Sequence, residues 1–303
     1  MRIPTLRQLQ YLTAVVEEKH FGKAAEKCFV TQSTLSAGIQ DLEDLLETAL
    51  LERTNRKVLT TPMGEEIARR ARQILSLTDD LVDLAHTANN PLAGRIRIGV
   101  IPTISPFLLP RVLPAVRKNL PQLEVVLIED QTERLLDQIE AGTLDVAVLA
   151  FPFNTRNLST RVFAQEPFWV ALPKSHPLAK NDVVSPDQLP TSELLLLAEG
   201  HCMREHALSA CQLPLSAQRK SVQATSLYTL IEMVASGLGI TLIPQMAINS
   251  DMVRNAEIEL RQLKGEQSAQ RDIGFVWRPS FRRTAALEQL ADSFTQALEK
   301  NPV

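Results

Sequence analysis

A chain of 303 residues can hold two or three separately cored domains, and its 45% apolar, 22% charged composition is that of an ordinary soluble globular protein. The net charge of −3 gives no bulk attraction for nucleic acid, and three cysteines, an odd number, make no secreted disulfide framework. The first twenty residues mix Arg2, Arg7, Glu17, Glu18 and Lys19 into the apolar pattern and read as no signal peptide; no run approaches the roughly 18 apolar residues of a membrane span. The expected compartment is therefore a reducing cytoplasm, with no membrane contact.

Residues 5–18 predict an amphipathic helix with Leu6, Leu9, Leu12 (or Tyr11), Val15 and Val16 on one stripe. His20-Phe21 breaks it, and a short helix over 22–28 follows, whose Ala24 and Ala25 permit close helix contact. Phe29-Val30 makes a turn, and Thr31 caps a third helix over about 32–46 that buries Leu35, Ile39, Leu42 and Leu46. Its first turn offers Gln32, Ser33, Thr34 and Ser36. A short helix, a tight turn and a second helix opening with hydroxyl and amide residues is the helix-turn-helix layout, in which the second helix enters the major groove.

Residues 50–61 then predict a β-hairpin wing around Asn55-Arg56-Lys57, placing Arg53 and Arg56 for phosphate contact. The first ninety residues carry 11 Lys/Arg against 13 Asp/Glu, so bulk electrostatics does not support DNA binding there. Residues 53–72 alone have a net charge of +4. That patch fits a phosphate contact or a solvated face, and the hairpin fits a DNA wing or a protein-binding surface.

Thr61-Pro62 starts a helix that runs to about Ala88, with Ile67, Ile74, Leu81 and Ala88 recurring every seven residues. Such a seam predicts a dimerisation strut. Asn89-Asn90-Pro91 and Gly94 end it as a linker. From Arg95 strands and helices alternate: strand 95–101, helix 106–119, strand 124–128, helix 133–141 and strand 145–149. This βαβαβ run predicts a parallel sheet with helices on both faces. Further strands are expected at 160–163, 168–172, 194–197, 220–223, 240–243 and 272–276, with helices at 226–236 and 284–299. A late strand followed by a long helix suggests that the chain returns to its first lobe, as in two-lobed periplasmic-binding-protein folds. The expected division is 1–61 for the winged domain, 62–90 for the strut and 91–303 for a regulatory domain. Within the last, lobe I covers about 95–165 and 271–303, and lobe II about 166–270.

Glu199–Cys211, reading Glu-Gly-His-Cys-Met-Arg-Glu-His-Ala-Leu-Ser-Ala-Cys, carries two of the three cysteines. If it is helical from Gly200, nine residues set the two Cα atoms about 13 Å apart on opposite faces. A disulfide needs roughly 4.4–6.8 Å, so the segment either stays helical with free thiols or unwinds to close a bridge. Cys202 in the first turn favours a thiolate, with His201, Arg204 and His206 near it. Two inert buried thiols remain the bland alternative.

Elsewhere the signals are weaker. Ser236-Gly237-Leu238-Gly239-Ile240 precedes a strand and reads as a turn, not a phosphate cradle. Cys28 reads as core. The five histidines and the Cys-x8-Cys spacing predict no metal site, and no hydrolase, nucleotide-binding or kinase motif is present. Thr103 and Ser105 after the first strand, and Thr132 after the second, stand where open α/β sheets bind ligands. They serve equally well as helix caps.

Leu-Arg-Gln-Leu-Gln-Tyr-Leu, Phe-Gly-Lys-Ala-Ala-Glu, Thr-Gln-Ser-Thr-Leu-Ser, Leu-Thr-Thr-Pro-Met-Gly and, far downstream, Gly-Leu-Gly-Ile-Thr-Leu-Ile-Pro resemble the LysR-type transcriptional regulators. The likeness spans the chain. Gly-His-Cys-Met-Arg-Glu-His-Ala-Leu-Ser-Ala-Cys and Ile-Pro-Thr-Ile-Ser-Pro-Phe-Leu-Leu-Pro are similar to the hydrogen-peroxide-sensing branch of that family, though Met203, Glu205 and His206 depart from its usual Leu, Asp and Gln. The resemblance implies Cys202 as the peroxidatic thiol and Cys211 as the resolving one. Thr103, Thr132, Gly200 and His201 would surround the peroxide, and Arg271 would support the thiolate. Thr31, Gln32, Ser33, Thr34 and Ser36 would read promoter DNA, and Arg53 and Arg56 would touch phosphate. It implies a non-enzymatic activator of oxidative-stress genes without cofactor or metal, working as a homodimer assembled to a homotetramer, with RNA polymerase and a cytosolic thiol reductant as partners. The rivals are a LysR-type regulator that binds a small metabolite in its cleft and, from another class, a thiol peroxidase.

Overall fold

The computed structural model describes residues 3–53, 58–87, 92–211, 213, 224–264 and 269–300. It divides into two compact units, Met1–Asn89 with Glu140–Thr143, and Asn90–Ile139 with Leu144–Val303.

In the first unit, side chains that satisfy free backbone N–H groups set the helix starts. Thr5 and Gln8 form a capping box ahead of α1 (Leu6–Glu18). His20 Nδ1 accepts from Lys23 N ahead of α2 (Phe21–Lys27), and Thr31 Oγ1 accepts from Thr34 N at 3.2 Å ahead of α3 (Gln32–Leu46). Phe29 takes the turn with a φ of 55°. The core is Leu12, Val15, Ala24, Leu35, Ile39, Leu42 and Leu50, all 0% exposed. Leu6 belongs to the expected stripe but is 46% exposed; Tyr11 is buried instead, against Gly38, where a Cβ would come within 2.7 Å of its ring. Strands β1 (Leu51–Arg53) and β2 (Val58–Thr60) pair antiparallel as the hairpin. Its tip, with Arg56, lies outside the described residues. Helix α4 (Pro62–Thr87) follows, burying Ala68 and Ala71 while Ile74, Leu77 and Leu81 stay 45%, 53% and 66% exposed.

The second unit opens with β3 (Gly94–Val100), α5 (Ser105–Asn119), β4 (Leu123–Glu129), α6 (Thr132–Ala141) and β5 (Val146–Phe151). Strand β3 lies between β4 and β5, parallel to both, as the βαβαβ run predicts. Next come β6 (Ser159–Pro173), β7 (Val183–Val184), α7 (Cys202–Ala210), α8 (Leu227–Ala235), β8 (Thr241–Pro244), α9 (Asp251–Arg254), β9 (Ile258–Leu263), β10 (Gln270–Trp277) and α10 (Thr284–Lys300). Strand β10 returns to the first sheet, antiparallel to β5 and to Ser159–Pro167 of β6.

The two strands expected at 160–163 and 168–172 are one. Residues 159–167 pair with β10 and residues 168–173 with β8 and β9, so Pro167, which has no N–H to donate, falls where the partners change. The strand expected at 194–197 is reduced to two bridges, Leu194 to Ile240 and Leu197 to Ala224. The strand expected at 220–223 lies outside the described residues. Strand β9 was not anticipated, although Ile-Glu-Leu-Arg-Gln-Leu carries the alternation of a half-buried strand.

Replacing Ile39 by alanine in this α3 core should destabilise the first unit by about 2–5 kcal/mol, read as a lower urea midpoint. Leu6→Ala, at a half-exposed site, should lose well under half of that. Equal losses would mean that the burial is not what holds these helices together.

Candidate functional site

Cys202 begins α7 and Cys211 caps its far end, both as free thiols. One face of α7 is held in the core by Met203, Ala207, Leu208 and Ala210. At the helix start the Cys202 side chain is half-buried and lines a narrow crevice with Ile101, Pro102, Thr103, Gln131, Thr132, Gly200 and His201. The loop after β3 and the start of α6 thus meet the start of α7, which is how residues from three parts of the sequence converge. Gly200 makes the approach with a φ of +92°, and a Cβ there would press on the Gln131 amide at 2.5 Å. Ser105 is buried at the start of α5 and does not line the crevice.

Arg271, on β10, is 1% exposed. Its Nε and Nη2 donate to Glu166 Oε1 at 2.8 and 2.7 Å, its Nη1 to Thr103 Oγ1 at 3.1 Å, and its Nη2 also to the Thr103 carbonyl at 3.1 Å. Glu166 Oε2 in turn accepts from Met246 N at 2.8 Å. Since the Thr103 hydroxyl oxygen already accepts from Arg271, its proton is free to donate elsewhere. Thr132 Oγ1 is buried without a hydrogen-bond partner among the described residues, close enough to Cys202 to favour its thiolate.

Burial raises the Cys202 pKa above the ordinary thiol value, and Glu205 adds to the rise; Arg271, the Thr132 hydroxyl and the Met203 N–H pull the other way. Burial wins, so the expectation that a helix start would favour the thiolate is not met in this state: the helical N–H groups help, but desolvation of the charged form outweighs them. The positive charge near the sulfur comes from Arg271, as the family resemblance implied, and not from the neighbours of Cys202 on its own helix. Arg204 is turned into the core, donating to the Leu197 carbonyl at 3.1 Å. Burial lowers the pKa of His201, and burial together with the Arg271 charge holds His206 at about 4. Arg271 supplies the charge. Cys211 is pushed up to about 11 by burial alone.

In the first unit, Thr31, Gln32, Ser33 and Thr34 are exposed on the opening turn of α3 and Ser36 is half-buried. Arg53 ends β1, with its side chain outside the described residues, as is all of Arg56. Within the +4 stretch Arg69 and Arg70 both pair with Glu66 at 2.7 Å, a charge already counted in that net, and Arg72 lies 3.7 Å from Glu17, which is outside the stretch. Cys28 is half-buried against this unit's core. Among the described residues no group of three or more His, Cys, Asp or Glu side chains is placed to hold a metal ion, and no helix is long and apolar enough to cross a membrane.

Comparison with known proteins decides the family. Residues 6–65 match the bacterial regulatory helix-turn-helix proteins of the lysR family, and residues 89–299 match the LysR substrate binding domain. The chain belongs to the LysR family. That is a family of transcription regulators, not of enzymes. Similar LysR relatives include the HTH-type transcriptional regulator EstR of Acinetobacter baylyi, 42% identical over 92% of each chain. The transcriptional dual regulator OxyR of Escherichia coli is 37% identical over 97% of this chain and 96% of its own. Among solved structures, a full-length OxyR variant from Pseudomonas aeruginosa shares 36% identity with a TM-score of 0.78, covering 97% of this chain and 98% of that one. A Corynebacterium glutamicum OxyR mutant with hydrogen peroxide bound shares 33% identity with a TM-score of 0.66, covering 99% and 94%.

Sequence reasoning missed Glu166 and Gln131. Glu166 lay hidden in Gln165-Glu166-Pro167, which reads as a break between strands; Gln131 carried no signal.

Because both thiols are held above their ordinary range, alkylation of Cys202 by iodoacetamide should be slow at pH 7 and rise through pH 9. Cys211 should lag behind it at every pH in the folded protein. Removing the Arg271 charge as glutamine should move the Cys202 profile further up. Quantitative peptide mass spectrometry checks this, and a Cys211 that reacts first would contradict the burial pattern.

Proposed function

We propose that this LysR regulator senses hydrogen peroxide in the cytoplasm through Cys202 and controls transcription by reversible formation of a Cys202–Cys211 disulfide. The observation that carries the reading is a half-buried thiol in a crevice of hydroxyl groups beside a buried arginine, at one end of a helix whose other end is a second cysteine. The OxyR relatives and the peroxide-bound OxyR neighbour support it.

In the proposed chemistry the Cys202 thiolate attacks one peroxide oxygen. An S–O bond forms, the O–O bond breaks, and the departing hydroxide takes up a proton to leave as water; sulfur is oxidised and peroxide reduced. Thr103, Thr132, Gly200 and His201 would surround the peroxide. Arg271 would stabilise the thiolate, and the free Thr103 proton would meet the developing hydroxide. The Cys211 thiolate then attacks the sulfenic sulfur, forming S–S and releasing the oxygen as a second water. Nine helical residues hold the two Cα atoms about 13 Å apart, so α7 must unwind for this step. Closing a loop of about ten residues offers a little under ~3 kcal/mol. Losing the α7 packing costs something comparable, which leaves the bridge within reach of a cytosolic thiol reductant.

In the first unit, Thr31, Gln32, Ser33, Thr34 and Ser36 would read promoter DNA, with Arg53 and Arg56 on phosphate. The exposed Ile74, Leu77 and Leu81 of α4 support a homodimer through that helix; dimers would pair into a tetramer, and RNA polymerase would be the downstream partner. The proposed division places the winged domain at 1–61, the strut at 62–90 and the regulatory domain at 91–303. A second reading, a metabolite-responsive regulator, draws on EstR, whose name does not mention peroxide. The Cys202 crevice has no room for an ordinary metabolite, so that reading would need a separate site in the cleft between the lobes.

One equivalent of peroxide should remove two hydrogens from the wild-type peptide pair carrying residues 202 and 211. Cys202→Ser should lose the response, and Cys211→Ser should stop at added oxygen on Cys202. Proteolysis within 203–210 should rise on oxidation of the wild type alone. Absence of any bridge would sink the peroxide reading and promote the metabolite one. Separately, Ile74→Lys with Leu81→Lys should give smaller species in sedimentation and weaker binding to paired half-sites; unchanged sedimentation would rule α4 out as the interface.

A further inference from the structure

His206 is the one imidazole on α7 that the proposed oxidation does not use, and it is 5% exposed. Its Nε2 lies 3.3 Å from the Pro152 carbonyl oxygen, which can only accept, so Nε2 carries the proton and donates it. Its Nδ1 is buried with no hydrogen-bond partner. The ring lies 6.4 Å from that of Phe168 on β6. A second proton on Nδ1 would therefore be a buried, unpaired N–H of a cation, an arrangement that folded proteins avoid.

The charged groups around it add to this. Arg271 on β10 repels a cation at His206, and its partner Glu166 on β6 spends its oxygens on Arg271 and Met246 N. On α7 itself Glu205 is exposed and Arg204 is turned to the Leu197 carbonyl. His201 is held down by burial, and Cys202 bears a raised thiol pKa. No buried carboxylate on these elements is free to receive a histidinium.

We propose that His206 couples the thiol switch to pH: the helical, reduced state keeps it neutral, and unwinding of α7 releases it to take up a proton. The inference rests on the disulfide reading and deepens it. With α7 intact the imidazole is held at about 4; freed into water it returns to about 6.5. Between those values His206 holds a proton in the oxidised state and none in the reduced one, so in exchange with a dithiol, whose two protons cancel those of the protein thiols, falling pH favours the disulfide.

The balance is explicit. With His206 neutral throughout, the disulfide takes up two electrons and two protons to give two thiols. With His206 protonated only in the oxidised state, reduction takes two electrons and one proton, because the imidazolium supplies the other. Each pH unit between about 4 and 6.5 then shifts the half-reaction tenfold instead of a hundredfold; in exchange with a dithiol the thiol protons cancel, leaving a tenfold shift toward the disulfide per unit. Glutamine at 206 is neutral and should leave the exchange with a dithiol independent of pH.

The test is a dithiothreitol redox titration of the full-length protein from pH 4.5 to 8, acid-quenched and read by mass spectrometry of the 202–211 bridge. Wild type and His206→Gln should run parallel above pH 7 and diverge below 6.5, with wild type the more oxidised at the acid end. The His206 ring proton, followed by NMR in reduced and oxidised wild type, should titrate near the ordinary histidine range only when oxidised; this readout needs no variant. Parallel titrations down to pH 4.5, or an equal His206 midpoint in both states, would overturn the coupling while leaving the switch standing. Failure of wild type to form the bridge at all would instead remove the reading on which the coupling rests.

Discussion

A guanidinium with almost no access to water is the constraint around which the second unit is arranged. Arg271 brings a buried charge that has to be matched inside the core. Glu166 matches it from the point where β6 changes partners, and Thr103 adds two acceptors from the loop after β3. Glu166 also holds the turn after β8 through Met246 N. A single buried ion pair thereby ties β10, β6, the first strand–helix loop and the second sheet together, and the crevice at Cys202 lies where these meet α7. Breaking such a pair by removing one partner typically costs about 3–5 kcal/mol, because the remaining charge stays buried.

The same burial decides the state of the thiols. At Cys202 a positive charge, a hydroxyl and a helical N–H favour the thiolate, and desolvation still outweighs them. At Cys211 nothing opposes desolvation. In this state the pair is quiet, and the helix between them keeps the sulfurs from meeting. Reactivity toward peroxide, on the proposed reading, then depends on stabilising the departing oxygen more than on a large standing fraction of thiolate. The Thr103 hydroxyl is suited to that, because Arg271 already occupies its oxygen as an acceptor.

Much of the architecture was legible in the sequence where one local signal sufficed. Thr31 was legible as the cap of α3, and the apolar spacing of Leu35, Ile39 and Leu42 gave that helix its buried face; Thr5 and His20 also cap helices, where the sequence reading had a helical residue and a break. Alternating strand and helix patterns gave the parallel β4-β3-β5 order. Where local signals competed, reading failed. Gln165-Glu166-Pro167 has the composition of a loop, yet it lies inside a 15-residue strand, because the sheet exchanges neighbours at the residue that lacks an N–H. Leu6 fits the helical stripe, but Tyr11 fills the space against Gly38 and leaves it at the surface.

By itself the sequence determined the helix-turn-helix layout, the α/β alternation and the placement of Cys202 and Cys211 at the two ends of one helix. These follow from side-chain period, capping chemistry and the fixed rise of an α-helix, all of which act over a few residues. Local sequence put Arg204 and His206 beside the thiol and only the family resemblance pointed to Arg271; the tertiary structure decided between them and whether the thiolate is favoured. Arg204 and His206 are neighbours of Cys202 in sequence, yet one turns to a backbone carbonyl and the other is kept neutral, while Arg271 arrives from a strand sixty-nine residues downstream. Charge and desolvation depend on distance and on exclusion of water, and neither is set until the distant segments have packed.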